Sequence, residues 1–540
     1  MSNKTVKHLL RKAIIFSFFL CSSVTHALET DLNKSLSSGD SDEKISAIQQ
    51  LLITEHPAAL PILQALKNGE LNVGNGGTLI IINAKGALDA LTQETIQPPP
   101  ENVTAIILNN RIRGVLDGAL ATLNLLSENR DKRLHAANEL FAKVEPNLLP
   151  IIQKALVKET DVEIKAVLGL IVASIQINDA DVAVRLKSIA VLAESDQPST
   201  SALLSPILGK NTEGQFTDPN KEIRIAAKTA LSKINERLVR MEYLGRLFSG
   251  ISLGSILLLA ALGLAITYGL MGVINMAHGE ILMIGAYTTY MVQTFFRNYL
   301  PSNVDAYLIA AVPASFAVAA LVGMLLERTV IRHLYGRPLE TLLATWGISL
   351  LLIQAVRTIF GAQNVEVSNP SWMSGGIQVA SNLVLTYNRI VIIIFAFFVL
   401  LLVWILLNRT RLGLFVRAVT QNRKMADCLG VPTRNIDMWT FGLGSGIAGL
   451  GGCALSQIGN VGPDLGQSYI VDSFMVVVLG GVGQLAGTVS GSLGLGVVSK
   501  FLEPMTDPVM AKILILVFII IFIQRRPQGL FALKGRVVEN

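Results

Sequence analysis

The chain has 540 residues, of which 51% are hydrophobic and only 16% are charged, with a mean hydropathy of +0.51. It is too long for one ordinary soluble domain, and its charge is dense up to about Arg246 but sparse from Ile251 onward. The net charge of +6 does not indicate nucleic-acid binding, because the excess lies mostly in short loops between apolar runs. The three cysteines predict neither a disulfide framework nor a metal site, and no cofactor is predicted.

Residues 1–27 predict a secretory signal peptide. A basic stretch that includes Lys4, Lys7 and Arg11 precedes the apolar run 13–20, and Thr25-His26-Ala27 fits a small-residue cleavage site. The apolar run is too short to be a stable membrane span. We therefore expect the next domain, residues 28–246, to be exported.

Similar phrases recur in residues 28–246, each with an acidic or polar start, a basic residue and apolar residues at helical spacing. They begin near Arg133, Asp161, Asp181 and Lys221. The pattern resembles HEAT-type helical repeats, in which stacked helix pairs share one core. A minor β element is predicted at residues 74–83. Scattered charges are typical of a solvated surface, so a docking role is favoured over catalysis.

The region 247–540 contains apolar runs that can cross roughly 30 Å of hydrocarbon, or nearly so. After the third, fifth and last runs come clusters of Arg and Lys, whereas residues 361–382 contain neither. The basic clusters and the C-terminus are therefore predicted to be cytoplasmic, and 361–382 to face the other side with the exported domain. Nine crossings satisfy this, although 473–502 reads either as two short spans or as a re-entrant half-helix plus a span. The runs are 251–273, 278–296, 306–326, 340–359, 387–408, 434–458, 473–484, 487–502 and 508–525.

The predicted fold class is therefore all-α: a polytopic helical membrane domain of about eight to nine spans, preceded by the exported HEAT-like domain. Two of the runs meet at a polar knot, residues 275–280, with the sequence Asn-Met-Ala-His-Gly-Glu. Lipid cannot satisfy these polar groups, so the knot either caps two helices at headgroup level or lines a pathway.

Glycines are unusually dense at residues 480–487 (GGVGQLAG), which predicts a broken helix of the kind transporters use at substrate sites. The letters also match a dinucleotide fingerprint, but no strand-turn-helix unit surrounds them. Gly442 with Gly446 and Gly487 with Gly491 form small-xxx-small pairs, which allow close approach of helices.

The segment 410–432 is too polar to span a membrane and ends in Gly430-Val431-Pro432, a helix stop. It is either an ordinary basic loop or a surface helix that docks on a soluble partner. The sequence has no Walker A motif, so if ATP drives this protein another chain must bind it.

Four stretches resemble motifs of the permease subunits of bacterial ABC importers of the branched-chain amino acid and urea type. They are GLAITYGLMGVINMAHGEILMIGAY, RAVTQNRKMADCLGV, VVVLGGVGQLAGTVSG and RRPQGLF. The likeness covers about 250–540, and the exported half with its phrase 109–114 is similar to the urea branch of the family. The resemblance implies two ATP-binding subunits, a second permease subunit and a periplasmic urea-binding protein, with import across the bacterial inner membrane.

By position, the resemblance also implies two sets of functional residues. The segment that couples to the ATPase would include Arg417, Gln421, Asn422, Ala426, Leu429 and Gly430, and the translocation path would be flanked by Asn275, His278, Glu280, Thr345, Gly481, Gly483 and Gln484. Polar groups without net charge suit a small neutral cargo such as urea. Branched-chain amino acids or short amides remain alternative cargoes. A passive channel, or a membrane anchor for the exported repeats, is the alternative of another class, and no catalytic residues are predicted.

Overall fold

The computed structural model describes residues 33–37, 40–53, 58–74, 77–83, 86–98, 103–143, 146–212 and 214–531. The predicted signal peptide, residues 1–27, lies outside these ranges. The chain divides into two compact units, Met1–Leu238 and Val239–Asn540. The described residues are mostly helical, which confirms the predicted fold class.

The first unit combines helices with one small antiparallel sheet of strand order β3-β2-β1-β4. The strand predicted at 74–83 corresponds to β2, whose Ile81 pairs with Leu71 of β1. The elements are α1 (Ser41–Ile53), α2 (Ala59–Asn68), β1 (Leu71–Val73), β2 (Leu79–Asn83), β3 (Gly86–Asp89), β4 (Thr104–Ala105), α3 (Asn110–Asn124), α4 (Arg130–Ala142), α5 (Leu149–Lys158), α6 (Val162–Gln176), α7 (Val182–Leu192) and α8 (Pro198–Leu204).

Two of the four recurrent phrases open on a helix N-cap. Asp161 accepts hydrogen bonds from the first-turn amides of α6, and Asp181 does the same for α7. The basic residue of a phrase ties one helix to the start of the next: Arg133 of α4 pairs with Glu159 at 2.8 Å. Together these contacts explain why the same letters recur along the unit.

The long helix α9 (Lys221–Met271) includes the boundary between the units, and ten further helices with one hairpin follow it. These are α10 (His278–Tyr299), α11 (Tyr307–Thr329), α12 (Pro338–Phe360), β5 (Gly376–Ala380), β6 (Leu383–Thr386), α13 (Tyr387–Arg409), α14 (Arg411–Gln421), α15 (Arg423–Cys428), α16 (Thr433–Ser456), α17 (Leu465–Gly480), α18 (Leu485–Leu502) and α19 (Pro508–Arg525).

Within the described chain, seven helices are long and apolar enough to cross a membrane: α9, α11, α12, α13, α16, α18 and α19. The other two predicted runs correspond to the more polar α10 and to the short apolar helix α17. The predicted bounds 473–484 were wrong, because α17 begins at Leu465 and ends at Gly480. Asp472 made this helix look polar in sequence, but its carboxylate lies 3.0 Å from Lys512 Nζ on α19.

The connecting segments lie on two opposite faces of the second unit. On the hairpin face, which carries β5 and β6, Val365 pairs with Val461 through two backbone hydrogen bonds, and Arg357 pairs with Asp464 at 2.7 Å. On the elbow face, which carries α14 and α15, Arg423 pairs with Asp437. The basic stretch after α11 also contributes to the elbow face. Residues 361–382 therefore lie on the face opposite the elbow.

Helix α16 is the centre of the second unit, and its glycines let three neighbours approach its backbone. A Cβ on Gly444 would lie 2.7 Å from Thr267 of α9, and one on Gly449 would lie 2.6 Å from the Ser315 carbonyl of α11. A Cβ on Gly452 would overlap the Leu282 carbonyl of α10. Such backbone contact is how small residues pack membrane helices. Of the predicted pairs, Gly487 and Gly491 pack on the backbone of α17, whereas Gly442 and Gly446 face side chains of α11.

Candidate functional site

The polar knot lies deep in the second unit. After α9 ends at Met271 the chain doubles back through residues 272–277, and α10 starts at His278. His278 Nε2 is 2.9 Å from the carbonyl oxygen of Ala260. Ala260 precedes Met271 by eleven residues, or roughly 17 Å of helix, and lies about midway along the apolar run of α9. This depth excludes the interpretation of the knot as a cap at headgroup level.

The polar side chains of the knot are buried and only partly hydrogen bonded. Asn275 is 2% exposed, His278 0% and Glu280 1%. Asn275 Oδ1 accepts a hydrogen bond from the Ala277 amide at 3.0 Å. Asn275 Nδ2, His278 Nδ1 and Glu280 Oε2 have no protein partner. Burying a polar atom without a hydrogen-bond partner costs free energy, so these three atoms are candidate partners for a bound polar solute.

Helix α12 supplies hydroxyl groups to the knot. Thr345 Oγ1 accepts a hydrogen bond from the Met276 amide at 3.1 Å, and the Ser349 hydroxyl lies near the Glu280 carboxylate. Thr345 and Ser349 share a helix face because they are four residues apart. The structure thus brings Thr345 to the knot and adds Ser349. The signal for Ser349 was the spacing of Thr341, Thr345 and Ser349 in an otherwise apolar run.

Two helices begin side by side at the knot. Gly279 in the first turn of α10 packs against the backbone of Gly466 in the first turn of α17. The first amides of a helix have no partner within the helix and carry partial positive charge. Broken helices whose starts meet at membrane depth are the form that substrate sites take in many transporters. The sequence analysis missed Gly466, which lies in a polar stretch outside the predicted glycine pairs and the glycine-dense segment 480–487.

The predicted break at 480–487 is present, because α17 ends at Gly480 and α18 begins at Leu485. Gly481 (φ +100°) and Gly483 (φ +80°) form the turn in a backbone region that disfavours side chains. Gly483 packs on Gly269, close to the end of α9. The structure therefore places Gly481, Gly483 and Gln484 towards the elbow face and does not bring them to the knot.

A cavity of about 570 Å³ lies at the hairpin face. It is lined by Leu465 and Ser468 at the start of α17, on either side of Gly466, and by the pair formed by Asp472 and Lys512. None of the predicted path residues lines it. The cavity therefore lies beside the start of α17, the helix that packs against the first turn of α10.

The segment predicted to couple to an ATPase forms an elbow, residues 411–430, made of α14 and α15. Asn422 joins the two helices, and its Oδ1 caps α15 by accepting from the Met425 amide at 2.9 Å. The elbow presents apolar Leu429, which is 77% exposed, and buries Ala426. The remaining predicted residues, Arg417, Gln421, Asn422 and Gly430, are exposed. A surface helix pair, rather than an irregular loop, therefore occupies this face.

In the described part of the chain, nine apolar or buried helices, a polar site at half depth and an exposed helical elbow together define a polytopic membrane permease. Residues 246–523 match the family described as "Branched-chain amino acid transport system / permease component". The match covers about half of the chain, which therefore belongs to the branched-chain amino acid ABC permease family. Membership implies ATP-binding subunits and a substrate-binding protein as partners.

Several curated relatives resemble this chain. The high-affinity branched-chain amino acid transport system permease protein BraD of Pseudomonas aeruginosa is 32% identical over 265 residues, which cover 48% of this chain and 86% of BraD. LivH of Escherichia coli K12, which carries the same description, is 30% identical over 47% of this chain and 84% of LivH. The fructose import permease protein FrcC of Rhizobium meliloti is 30% identical over 46% of this chain and 68% of FrcC. No solved structure matches the chain significantly.

Proposed function

We propose that this chain is the permease subunit of an ATP-driven importer that moves urea from the periplasm to the cytoplasm of a bacterium. The observation that carries the proposal is the polar knot at half depth, where three buried polar atoms have no protein partner. We assign the cavity on the hairpin face, beside the start of α17, to the periplasmic side and infer that cargo enters through it. The basic elbow face is then cytoplasmic.

The remaining assembly follows from this orientation. Residues 28–246 form the periplasmic helical domain in this proposal, and the C-terminus is cytoplasmic. A second permease subunit completes the membrane part, and a periplasmic urea-binding protein delivers the cargo. Two ATP-binding subunits contact the elbow, whose exposed Leu429 and flanking cations offer a mixed apolar and basic surface. Protein interfaces commonly combine an apolar centre with a polar rim.

Urea is proposed as the cargo because the knot offers donors and acceptors rather than an apolar pocket. Asn275 presents an amide and His278 an imidazole nitrogen, and both groups can hydrogen bond to urea. Branched-chain amino acids, the substrates in the family description, and short amides are the alternatives. An aliphatic side chain would need apolar lining around the same atoms.

Co-purification followed by ATPase measurement tests this assignment. The complex with its ATP-binding and substrate-binding proteins is expected to hydrolyse ATP faster with urea than with acetamide or leucine. The purified chain alone is expected to hydrolyse none. Stimulation by leucine alone would transfer the assignment to branched-chain amino acids.

A passive channel is the second candidate, because a cavity of about 570 Å³ and a buried polar knot both occur in the second unit. Vesicles that contain this chain alone separate the two functions. Counterflow of labelled urea in such vesicles would support a channel, whereas uptake that requires ATP and the partner subunits supports the importer.

A further inference from the structure

Two carboxylates are buried beneath the elbow, and each is held by an arginine. Glu327 of α11 is fully buried, and Arg332 Nη2 lies 3.1 Å from its Oε2. The Tyr335 hydroxyl donates to the other oxygen of Glu327 at 3.3 Å. Asp437 of α16 is 2% exposed and pairs with Arg423, the first residue of α15. Residues from α11, α15 and α16 thus meet in one charged cluster.

Arg423 is the side chain that ties the elbow to this cluster. Besides its ion pair with Asp437, its guanidinium lies 4.8 Å above the ring of Tyr335, a distance suited to a cation–π contact. A buried carboxylate is tolerated only while its counter-ion remains in place. The side chain of Arg423 is 43% exposed and that of Asp437 is 3% exposed. Loss of the ion pair is therefore more costly for Asp437, because water can solvate the arginine but not the buried carboxylate.

Helix α16 continues from this attachment to the knot. Asp437 lies in its second turn, and Ala448 lies eleven residues further, or roughly 17 Å along the axis. At that level Gly263 of α9 packs between the backbone of α16 and the ring of His278. The helix between them is uninterrupted, and from Thr440 to Ala448 only Leu443 is less than fully buried. A displacement of its base is therefore transmitted as a displacement beside the knot.

We propose that Arg423 and Asp437 form the joint through which the elbow positions α16, and through α16 the polar knot. Both are positioning residues, because neither touches the knot itself. The proposal rests on the proposed function, since it explains how a partner at the elbow could act on a site at half depth. It adds a specific pair and a specific helix that the coupling segment alone does not identify.

The joint is tested first without any partner, by a spin label on the exposed Cys428 of α15. Cys453 is buried, and Cys21→Ser removes the cysteine of the predicted signal. Label mobility is expected to rise most in R423Q, which removes the ion-pair partner of the buried Asp437, and less in D437N, which leaves a half-exposed arginine. The double variant R423Q/D437N is expected to return towards the mobility of the starting protein, because two amides can hydrogen bond.

Additive effects in the double variant would overturn the joint, as would unchanged mobility in R423Q. If R423Q fails to accumulate in the membrane, recovery of the double variant supports the pair, and failure of both counts against it. Arg423→Lys keeps the positive charge, so the spin label on Cys428 is expected to stay nearly as immobile as in the starting protein.

The second measurement uses the complete complex and urea-stimulated ATP hydrolysis. R423Q is expected to lower the stimulation at least fivefold, and the double variant to recover most of it. The control Glu340→Gln removes an exposed charge near the same face, whose partner Arg337 is 3.1 Å away, and is expected to change nothing. Full stimulation in R423Q would overturn the proposal. No stimulation by any cargo in the unaltered complex would instead refute the proposed function, while the spin-label result still decides the joint.

Discussion

The knot and the elbow use the same local device in two different surroundings. Each separates two helices by a short non-helical segment, and in each an asparagine Oδ1 accepts a backbone amide: Asn275 from Ala277 and Asn422 from Met425. Asn275 is buried with Nδ2 unpartnered, whereas Asn422 is exposed. The comparison teaches that burial, not the residue, decides whether such a break is a cap or a site.

The same substitution at both positions tests this directly and has the largest expected effect. Asp keeps the accepting oxygen but replaces the amide nitrogen by charge. Asn275→Asp puts an unpaired carboxylate at half depth, so urea uptake is expected to fall at least tenfold. Asn422→Asp keeps a good N-cap in water and is expected to retain uptake. Equal uptake by the two variants at equal membrane levels would refute the distinction.

Altering the docking surface of the elbow is expected to have the next largest effect. Arg417→Glu combined with Gln421→Ala reverses one exposed charge and removes one exposed amide without touching a buried residue. Transport is expected to drop severalfold while the protein still reaches the membrane, because only the partner contact changes. Uptake assays with Glu340→Gln as control measure this. Normal uptake by the double variant would mean that the partner docks elsewhere.

The smallest expected effect is loss of the elbow cap. Asn422→Ala removes the acceptor for the Met425 amide, which costs about 1 kcal/mol of local helix stability. That corresponds to roughly fivefold faster amide exchange in α15. Hydrogen exchange followed by mass spectrometry would measure it, with α14 as the internal reference. Unchanged exchange would show that the ion pair of Arg423, rather than the cap, orders α15.

The sequence predicted the kinds of segment but not their depth. Composition alone was enough to predict the polar knot, the glycine turn and the polar segment that forms the elbow. The depth of the knot depends on one contact, His278 with the Ala260 carbonyl, between residues eighteen positions apart on separate helices. Periodicity describes each helix by itself, so it cannot indicate how far a chain doubles back along its neighbour.

The buried charges were beyond sequence reasoning for a related reason. Asp472 and Asp437 lie in apolar helices, and the sequence did not indicate their ion pairs, because their partners Lys512 and Arg423 come from other elements. By contrast, the closely spaced glycines of α16 did carry the signal of its central position. All six glycines of α16 face neighbouring helices. Small residues at such positions allow close helix packing, which a helix surrounded by lipid does not require.

That glycine-rich helix has a consequence for how cargo preference could change. Because its middle contributes hardly any side-chain bulk, the shape around the knot is determined by residues borne on α9, α10 and α12. Replacing a few of those residues could change which cargo is preferred, while α16 keeps its packing against the neighbouring helices. Helix packing and cargo preference therefore depend on different residues of the bundle, so that one can change while the other is kept.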